Sequence, residues 1–505
     1  MRQSAGPPGD RMPGMAWARC GPSAPLSRPP SRACIDWPLP LDRRKGCGAG
    51  HGFFPRRRFT RMRAAGSVPR RAEGRLIRRY ARMTAAHLAS APLVGVLAAT
   101  LAIAASLASV APGGSAREWT RFRGPNGTGI ASGRGIPSEI GEGGWNWRVK
   151  LPGRGHSSPV VWESRLFVTS AEEEKGRRHL LCIDTRTGRT LWTVTDTHAP
   201  YHRHEYNSFA SSTPCVDAQR VYVAWTTHER FTAAAYGHDG ALAWKRDLGP
   251  YPTQHGGAAS PIVLEGTLIL TVEPEDADGF LIGLDTATGE TRWRHPRPGG
   301  SFTPYATPVA WTGPGGRQQV LFASTTFGIT SLDPRTGALG WETGRLFPQR
   351  TVGSLAEADG LLIATSGSGA GFRLAVAVKP PESGSGAPRV RWQISKGTSY
   401  VPTPIAHKGR VYFWGDGGVV LCVRATTGET VWQERVGGNW FGSPICVDGR
   451  LFAMSARGEL VVVEASDTFR ILGRTELGEP SHATPAVSDG VLYLRTESHL
   501  LSAGR

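Results

Sequence analysis

Apolar residues in the C-terminal four-fifths of the chain fall in short runs separated by Gly, Pro, Asp and Asn. Residues 166–168, 221–223 and 411–413 are examples, each made of β-branched, aromatic or aliphatic side chains. Such runs are typical of short strands bounded by turns. No stretch after Gly113 keeps the 3.6-residue period of an amphipathic helix. The pattern therefore predicts an all-β protein.

A repeated unit organises these strands. Residues 284–293 read apolar, Asp, two variable residues, Thr-Gly, three variable residues and Trp, and close copies stand at 183–192 and 332–341. A looser copy ends at Trp432 and has Arg424 in place of Asp. Asp can cap a turn, Gly supplies the positive φ of a tight hairpin, and Trp can pack on a neighbouring repeat. One hairpin cannot bury its own faces, so the copies must stack.

A second marker gives the number of repeats. A Ser or Thr, followed by Pro in all cases but one, precedes an apolar run eight times, at intervals of 40 to 55 residues. The marker residues are Ser158, Thr213, Ser260, Thr307, Ser354, Thr403, Ser443 and Thr484. Each interval holds about four short strands, the content of one propeller blade. The predicted fold is an eight-bladed β-propeller of four-stranded antiparallel blades over residues 145–505.

The two ends of this region are predicted to complete one blade together. The last repeat runs out of chain after three strands, whereas residues 145–151 form a Trp-bearing strand before the first marker. We expect that strand to complete the C-terminal blade and close the ring, so that no long edge is exposed. The tryptophans predicted to dock one blade on the next are Trp147, Trp192, Trp244, Trp293, Trp341, Trp392 and Trp432.

The N-terminal 82 residues differ from everything after them. They hold 19 Lys and Arg against 4 Asp and Glu, so that most of the net charge of +18 belongs to this part. Such a composition predicts a disordered extension. It is either a basic arm for nucleic acid or anionic membrane or a segment absent from the mature protein, with translation starting at Met62 or Met83. The part that folds is near neutral, so no nucleic-acid partner is expected.

Residues 83–116 read as an export signal. They contain an uncharged, Ala-rich and Leu-rich run at 91–111, preceded by arginines and followed by small residues. A cleaved signal peptide and an uncleaved membrane anchor both fit this pattern. Residues 117–144 form a Gly-rich lead-in. They have no Lys-Ser/Thr pair of a phosphate loop, and we expect them to lie against the propeller surface.

The repeated Asp-x-x-Thr-Gly-x-x-x-Trp text resembles the PQQ-type repeat of eight-bladed quinoprotein propellers. The resemblance covers about residues 117–505 and is closest to exported bacterial members. One branch of that family consists of dehydrogenases that use pyrroloquinoline quinone with Ca²⁺, an Asp base and often a disulfide between adjacent cysteines. The other branch is non-catalytic and includes the propeller subunit of outer-membrane β-barrel assembly, which binds partner proteins.

The cysteines do not match the dehydrogenase branch. This chain has no adjacent Cys pair, and Cys182, Cys215, Cys422 and Cys446 are scattered. We interpret them as buried strand thiols, although an exported protein could pair them. The chain also lacks the extra length between blades that the dehydrogenases use to roof their cofactor.

The loop before each marker residue leads to the strand nearest the propeller axis, and so it lies at one mouth of the central channel. These loops carry polar and aromatic residues that could form a ligand site or could merely hold the loops together. The candidate ligand-binding residues are His156, His204, Asn207, His255, Tyr305, Arg350, Tyr400, Asn439, Trp440 and His482. The mouth loops offer His, Tyr and Asn but hardly any carboxylate, with Glu205 the exception, which argues against a calcium-quinone site.

Two further patterns were considered as metal sites. His202 and His204 share one face of an extended segment, but no third ligand follows by spacing. Residues 273–279 are acidic but lack the later Glu of a calcium loop, so a solvated turn is expected. The sequence predicts no metal and no catalytic residue. It favours a monomeric, exported, non-catalytic propeller that binds an envelope protein or a small ligand, with a PQQ-dependent dehydrogenase as the alternative.

Overall fold

The strands of the molecule form eight blades around one axis. A computed structural model describes residues 118–199, 201–300, 302–382 and 386–505, so the predicted basic extension and export signal lie outside the described residues. Within that part of the chain, eight separate antiparallel meanders are present. The predicted all-β propeller with eight four-stranded blades is confirmed.

Blades 1 to 4 follow one another along the chain. Each runs from its innermost to its outermost strand. Blade 1 contains Val160–Trp162, Arg165–Glu172, Arg177–Asp184 and Thr190–Thr197. Blade 2 contains Cys215–Val216, Arg220–Thr226, Phe231–Gly237 and Leu242–Asp247. Blade 3 contains Ile262–Leu264, Thr267–Val272, Gly279–Asp285 and Thr291–Arg297. Blade 4 contains Val309–Thr312, Gln318–Ser324, Gly328–Leu332 and Leu339–Glu342.

Blades 5 to 8 repeat this order. Blade 5 contains Ala356–Ala358, Leu361–Gly367, Arg373–Lys379 and Arg389–Ile394. Blade 6 contains Ile405–His407, Arg410–Trp414, Val419–Arg424 and Thr430–Arg435. Blade 7 contains Ile445–Val447, Arg450–Met454, Glu459–Glu464 and Ile471–Glu476. Blade 8 contains Ala486–Ser488, Val491–Arg495, His499–Ala503 and, as its outermost strand, Trp145–Lys150.

The outermost strand of blade 8 comes from the other end of the described chain. Trp145–Lys150 pairs antiparallel with His499–Ala503, with Trp147 opposite Ser502 and Lys150 opposite His499. This pairing satisfies backbone groups that would otherwise form an open sheet edge. Helical structure in the described part of the chain is limited to two three-residue 3-10 turns, Glu173–Lys175 and Pro314–Gly316. In the same residues no helix is long and apolar enough to cross a membrane.

The docking tryptophans join successive blades at their outer edges. Trp244, Trp293, Trp341, Trp392 and Trp432 are buried, and Trp147 and Trp192 are partly buried. Six of the seven indole N–H groups donate to a carbonyl in the turn of the next blade at 2.9–3.0 Å. Five of the rings lie on a turn glycine of that blade; these are Gly188, Gly240, Gly289, Gly337 and Gly428.

Two blades depart from this pattern for visible reasons. Blade 5 has an insertion at residues 380–388 instead of the glycine turn, and the Nε1 of Trp341 finds no acceptor among the described residues. Blade 7 has no tryptophan in its outer strand. There Gly473 lies against the backbone of Ser138, and the amide of Ile140 donates to Oγ1 of Thr475 at 2.9 Å. The lead-in therefore packs where a side chain would otherwise stand.

Candidate functional site

The marker residues form a closed ring of hydrogen bonds at one end of the central channel. The amide N–H of each marker residue donates to the side-chain hydroxyl of the next, at 2.9–3.3 Å. The last of these bonds runs from Thr484 of blade 8 to Ser158 of blade 1. All eight side chains are buried. We call this set the hydroxyl ring.

The opposite end of the channel is filled by the lead-in. Glu118–Trp119 adds to the axial edge of blade 1, antiparallel to Val161 and Trp162. Ile130–Ala131 adds in parallel to the axial edge of blade 7, beside Cys446 and Val447. Residues 118–131, which we call the plug, therefore lie inside the channel. The lead-in thus lies against the propeller partly inside the channel, where its two-residue strands pair with the innermost strands, and partly on the outer strand of blade 7.

The middle of the plug spans the channel between opposite blades. The carbonyl of Thr120 accepts a hydrogen bond from the amide of Val216 in blade 2 at 2.8 Å. The guanidinium of Arg123 donates to the carbonyl of Pro404, directly after Thr403 of the ring, at 3.0 Å. Blades 2 and 6 face each other across an eight-bladed ring. The side chain of Phe122, between these two anchors, faces the cavity on the ring side.

That cavity occupies the mouth of the channel and has a volume of about 610 Å³. Its floor is the hydroxyl ring with Phe122, and its walls come from the loops between blades. Eight of the ten predicted ligand-site residues line it: His156, His204, Asn207, His255, Tyr305, Tyr400, Asn439 and His482. The loops that enter seven different blades thus converge on one space.

One wall of the cavity is a continuous belt of imidazole and aromatic rings. The ring centroids of His156 and His482 are 4.4 Å apart, and those of His482 and Phe441 are 4.5 Å apart. Tyr206 continues the belt to Phe441 at 5.0 Å and to His204 at 5.3 Å. His204 stacks on His255 at 4.9 Å. Tyr206 is 54% exposed, so the belt has an open end toward solvent.

Three imidazoles of this belt, those of His156, His255 and His482, are held neutral by their surroundings. Burial lowers the pKa of His156 well below its usual range, and the adjacent His482 acts in the same direction. Burial, assisted by Arg350, lowers the pKa of His255 to about 4. Burial also lowers the pKa of His482. At neutral pH these rings can stack and exchange hydrogen bonds without carrying charge.

The opposite wall carries charged residues that the sequence analysis missed. Asp416 and Arg373 line the cavity and form an ion pair at 3.3 Å. The two oxygens of Asp416 also accept the amide N–H groups of Tyr400 and Val401, at 2.8 and 2.9 Å. Both residues lie in or beside the hairpins between the second and third strands of their blades. Those hairpins reach the same mouth as the loops between blades.

Two predicted site residues lie elsewhere. Trp440 is fully buried in the core between blades 6 and 7, where its indole donates to the carbonyl of Gly437 at 2.7 Å. Arg350 is largely buried and pairs with Glu275, with its guanidinium over the ring of Phe302 at 4.9 Å. It does not line the cavity. Their loop positions were predicted from the repeat, but the direction of a loop side chain does not follow from spacing.

Neither of the metal patterns assembles a site. No group of three or more His, Cys, Asp or Glu residues in the described ranges could hold a metal ion. The Nδ1 of His204 accepts a hydrogen bond from the amide of Tyr206 at 3.2 Å. The acidic turn is only partly solvated. Glu273 is buried and accepts a hydrogen bond from Ser324 at 2.7 Å, and Glu275 holds Arg350.

The four cysteines of the propeller are buried free thiols. Burial raises the pKa of Cys182 to about 12 and that of Cys446 to about 11. Thiols with raised pKa values in apolar surroundings are inert. They contribute to packing and not to the site.

An eight-bladed ring with a tryptophan-on-glycine contact between blades defines a PQQ-like repeat propeller. The family model described as outer membrane protein assembly factor BamB matches residues 130–223, 178–434, 375–470 and 416–503. These matches together extend through all eight blades, and the chain belongs to this family. A comparison with curated proteins gives no match.

Solved structures from both branches of the propeller family align with this chain. BamB from Moraxella catarrhalis aligns over 70% of this chain and 95% of that one, with 16% identity and a TM-score of 0.49. Quinohemoprotein alcohol dehydrogenase from Comamonas testosteroni aligns over 77% and 80%, with 14% identity and a TM-score of 0.56. The corresponding enzyme from Pseudomonas putida HK5 aligns over 77% of this chain and 80% of that one, with 14% identity and a TM-score of 0.55. At such identity the dehydrogenase alignments establish a shared fold alone.

Proposed function

We propose that this protein is an exported, non-catalytic propeller that binds an envelope protein or a small ligand in the cavity at the channel mouth. The observation that carries the proposal is the convergence of neutral imidazole and aromatic rings from the loops of five blades on one cavity. Rigid aromatic surface with few free charges is typical of recognition sites. The family description, an outer membrane protein assembly factor, supports a location in the envelope.

The alternative is a dehydrogenase that uses pyrroloquinoline quinone with calcium, and the residues at the mouth do not fit that pair. Calcium takes six to eight oxygen ligands, mostly from carboxylates and carbonyls. Among the residues that the structure describes, Asp416 is the one carboxylate that lines the cavity, and it is already engaged by Arg373 and by two amide N–H groups. The side-chain amide of Asn207 donates to the carbonyl of His255 and accepts the amide of Ser208. We therefore propose neither the quinone nor calcium as a cofactor.

A photo-crosslinking experiment tests the proposal. Tyr206 is replaced by a photo-reactive phenylalanine analogue in cells, and Leu242, which is 57% exposed on the outer strand of blade 2, receives the same analogue as a control. We expect a discrete crosslinked envelope component from position 206 and none from position 242. Phe441→Ala, which removes the ring next to Tyr206, should weaken the crosslink.

The same protein distinguishes the alternative. Purified protein is titrated with pyrroloquinoline quinone, with and without Ca²⁺, and then assayed for dye-linked alcohol oxidation. Saturable binding with turnover would overturn the proposal in favour of the dehydrogenase. A crosslink at position 206 that Phe441→Ala leaves unchanged would show that the cavity is not the binding surface.

A further inference from the structure

We infer that the floor of the cavity is a subsite for an oxyanion, the carboxylate or phosphate group of the bound ligand. The inference deepens the proposed function and rests on it, since it names the chemistry of the group that enters the mouth. Its basis is the combination of the hydroxyl ring with the arginines of the plug beneath it.

The hydroxyl protons of the ring have no acceptor among the described protein atoms. Each of its oxygens receives the amide N–H of the preceding marker residue. Among the described residues, none of the eight hydroxyls donates a hydrogen bond to a protein atom. A hydroxyl that already accepts one hydrogen bond has its own proton free to donate. All eight side chains are at least nine-tenths buried, yet they line the cavity.

The plug places positive charge just below this ring. Arg121 follows Thr120, whose carbonyl accepts the amide N–H of Val216, and Arg123 donates to the carbonyl of Pro404, one residue beyond Thr403. Both side chains are buried, and no carboxylate among the described residues lies within 4 Å of either one. Burial lowers the pKa of Arg121 to about 10 and that of Arg123 to about 9, so both guanidinium groups remain charged at neutral pH.

A third buried arginine lies beside the same mouth. Arg495 donates from Nη1 to the carbonyl and hydroxyl of Ser157, next to Ser158 of the ring, at 3.1 and 2.6 Å. Its Nε and Nη2 have no partner among the described residues, and neither do Nε and Nη1 of Arg123. Unpaired buried charge is costly unless something compensates for it.

These groups together select the sign of the ligand. The three guanidinium groups do not line the cavity and act on a ligand there through their field, which repels a cation, whereas an oxyanion would receive hydroxyl donors and a favourable field. Interactions of charge with hydroxyl dipoles strengthen where water is excluded. The apolar part of the same ligand would lie higher in the cavity, against the belt of His156, Tyr206 and Phe441.

The test is calorimetric titration of the full-length protein in a chloride-free buffer, with inorganic phosphate in one arm and succinate in the other. The arms distinguish a phosphate group from a carboxylate. Thr307→Val removes the hydroxyl of the most exposed ring member, and Thr307→Ser retains it. Arg121→Met/Arg123→Met removes the charges, and Arg121→Lys/Arg123→Lys retains them. Thermal unfolding checks that each variant folds.

We expect saturable binding of one of the two anions by the native protein. The loss of a hydrogen bond to a charged group should weaken it about tenfold in Thr307→Val, with Thr307→Ser near the native value. The Met double variant should lose it, and the Lys double variant should retain most of it. If the Met variant does not fold, Thr307→Val against Thr307→Ser decides the question.

Absence of saturable binding of both anions to folded native protein would overturn the inference. Binding that is equal in Thr307→Val and Thr307→Ser would also overturn it, because the anion would then lie elsewhere. The proposed function has a separate readout. A crosslink at position 206 without any anion binding would leave the proposed function standing and remove only the subsite.

Discussion

The outer rim of the propeller repeats one contact, whereas the loops at the channel mouth carry side chains that differ from blade to blade, apart from His156 and His482 at equivalent positions. At the rim, six of the seven docking indoles donate to the same kind of carbonyl in the turn of the next blade, and five of the rings lie on a glycine of that turn. At the mouth, equivalent loops present His156, Tyr305 and Asn439 at related places. The difference separates what holds the ring together from what the ring displays.

The hydroxyl ring lies between these two regions and shares features of both. It repeats in every blade, whereas the docking tryptophans are absent from blade 7, and its backbone bonds close the circle from Thr484 to Ser158. It also lines the cavity. Residues there can therefore act in assembly through their oxygens and in recognition through their protons, which is why conservative Thr→Ser changes are the informative ones.

The comparison predicts that a single change at the rim has the largest effect on stability. Trp293 is 6% exposed, its indole donates to the carbonyl of Pro334, and a Cβ at Gly337 would lie 2.7 Å from its ring. Trp293→Ala should lower the free energy of unfolding by about 3–5 kcal/mol, as for other buried aromatics. Denaturant unfolding measures this value.

A matched control comes from the exposed apolar residues. Leu242 lies on the same type of outer strand but is 57% exposed, so Leu242→Ala should change stability by less than about 0.5 kcal/mol. Equal losses in the two variants would show that the rim contact is not what joins the blades.

At the mouth, we expect a substitution of His255 to have a smaller effect on the free energy of unfolding, and this effect should depend on pH. Burial, with Arg350, His204 and His202 nearby, lowers the pKa of His255 to about 4. Between pH 6.5 and 4 the unfolded chain binds a proton at this residue and the folded chain does not, so stability falls as the pH falls. His255→Phe keeps a ring for His204 and should reduce the acid-induced loss by about 1–2 kcal/mol, allowing for partial exposure.

Unfolding curves of native protein and His255→Phe at pH 8, 7, 5.5 and 4 measure this difference. The two curves should run parallel above pH 7, where His255 is neutral in both the folded and the unfolded chain. A difference that is as large at pH 8 as at pH 4 would mean that the ring exchange perturbs packing and that the titration of His255 is not the cause.

The rim could be predicted from the sequence because every copy of the repeat has the same physical task. Asp285, Gly289 and Trp293 recur at fixed spacing in most blades, because a capped turn, a positive φ and a docking ring together join one blade to the next. The same argument predicted that the loops ahead of the marker residues meet at the axis. That part of the site followed from the number of strands per blade.

The rest of the site could not be predicted, because its residues do not recur from one repeat to the next. Asp416 and Arg373 stand in hairpins that only the closed ring brings to the mouth, and Trp440 turns inward because a pocket between two blades receives its ring. The plug has two strands of two residues each, too short for any alternation to be seen. Its place in the channel follows from pairing with the innermost strands of blades 1 and 7, which are far apart in the sequence.

The smallest expected effect lies at the closing blade, where a mouth loop has a purely structural role. Glu479 accepts hydrogen bonds from Thr496, Ser498 and His499, in the hairpin of blade 8, at 2.7–3.2 Å. Burial alone would raise the pKa of Glu479, but these hydrogen bonds outweigh it and lower the pKa from 4.5 to about 2. The carboxylate therefore stabilises the fold above about pH 4.5, and this contribution is lost as the pH falls toward 2.

Because a quarter of the side chain is exposed, Glu479→Gln should cost only about 1 kcal/mol at pH 7 and almost nothing near pH 2. Glu497→Gln, which removes the partner of the exposed Arg154, should cost less than about 0.5 kcal/mol at both pH values. Chemical unfolding of the three proteins at pH 7 and pH 2.5 measures these differences, and a Glu479→Gln loss that persists undiminished at the lower pH would show that the carboxylate charge is not what holds the hairpin.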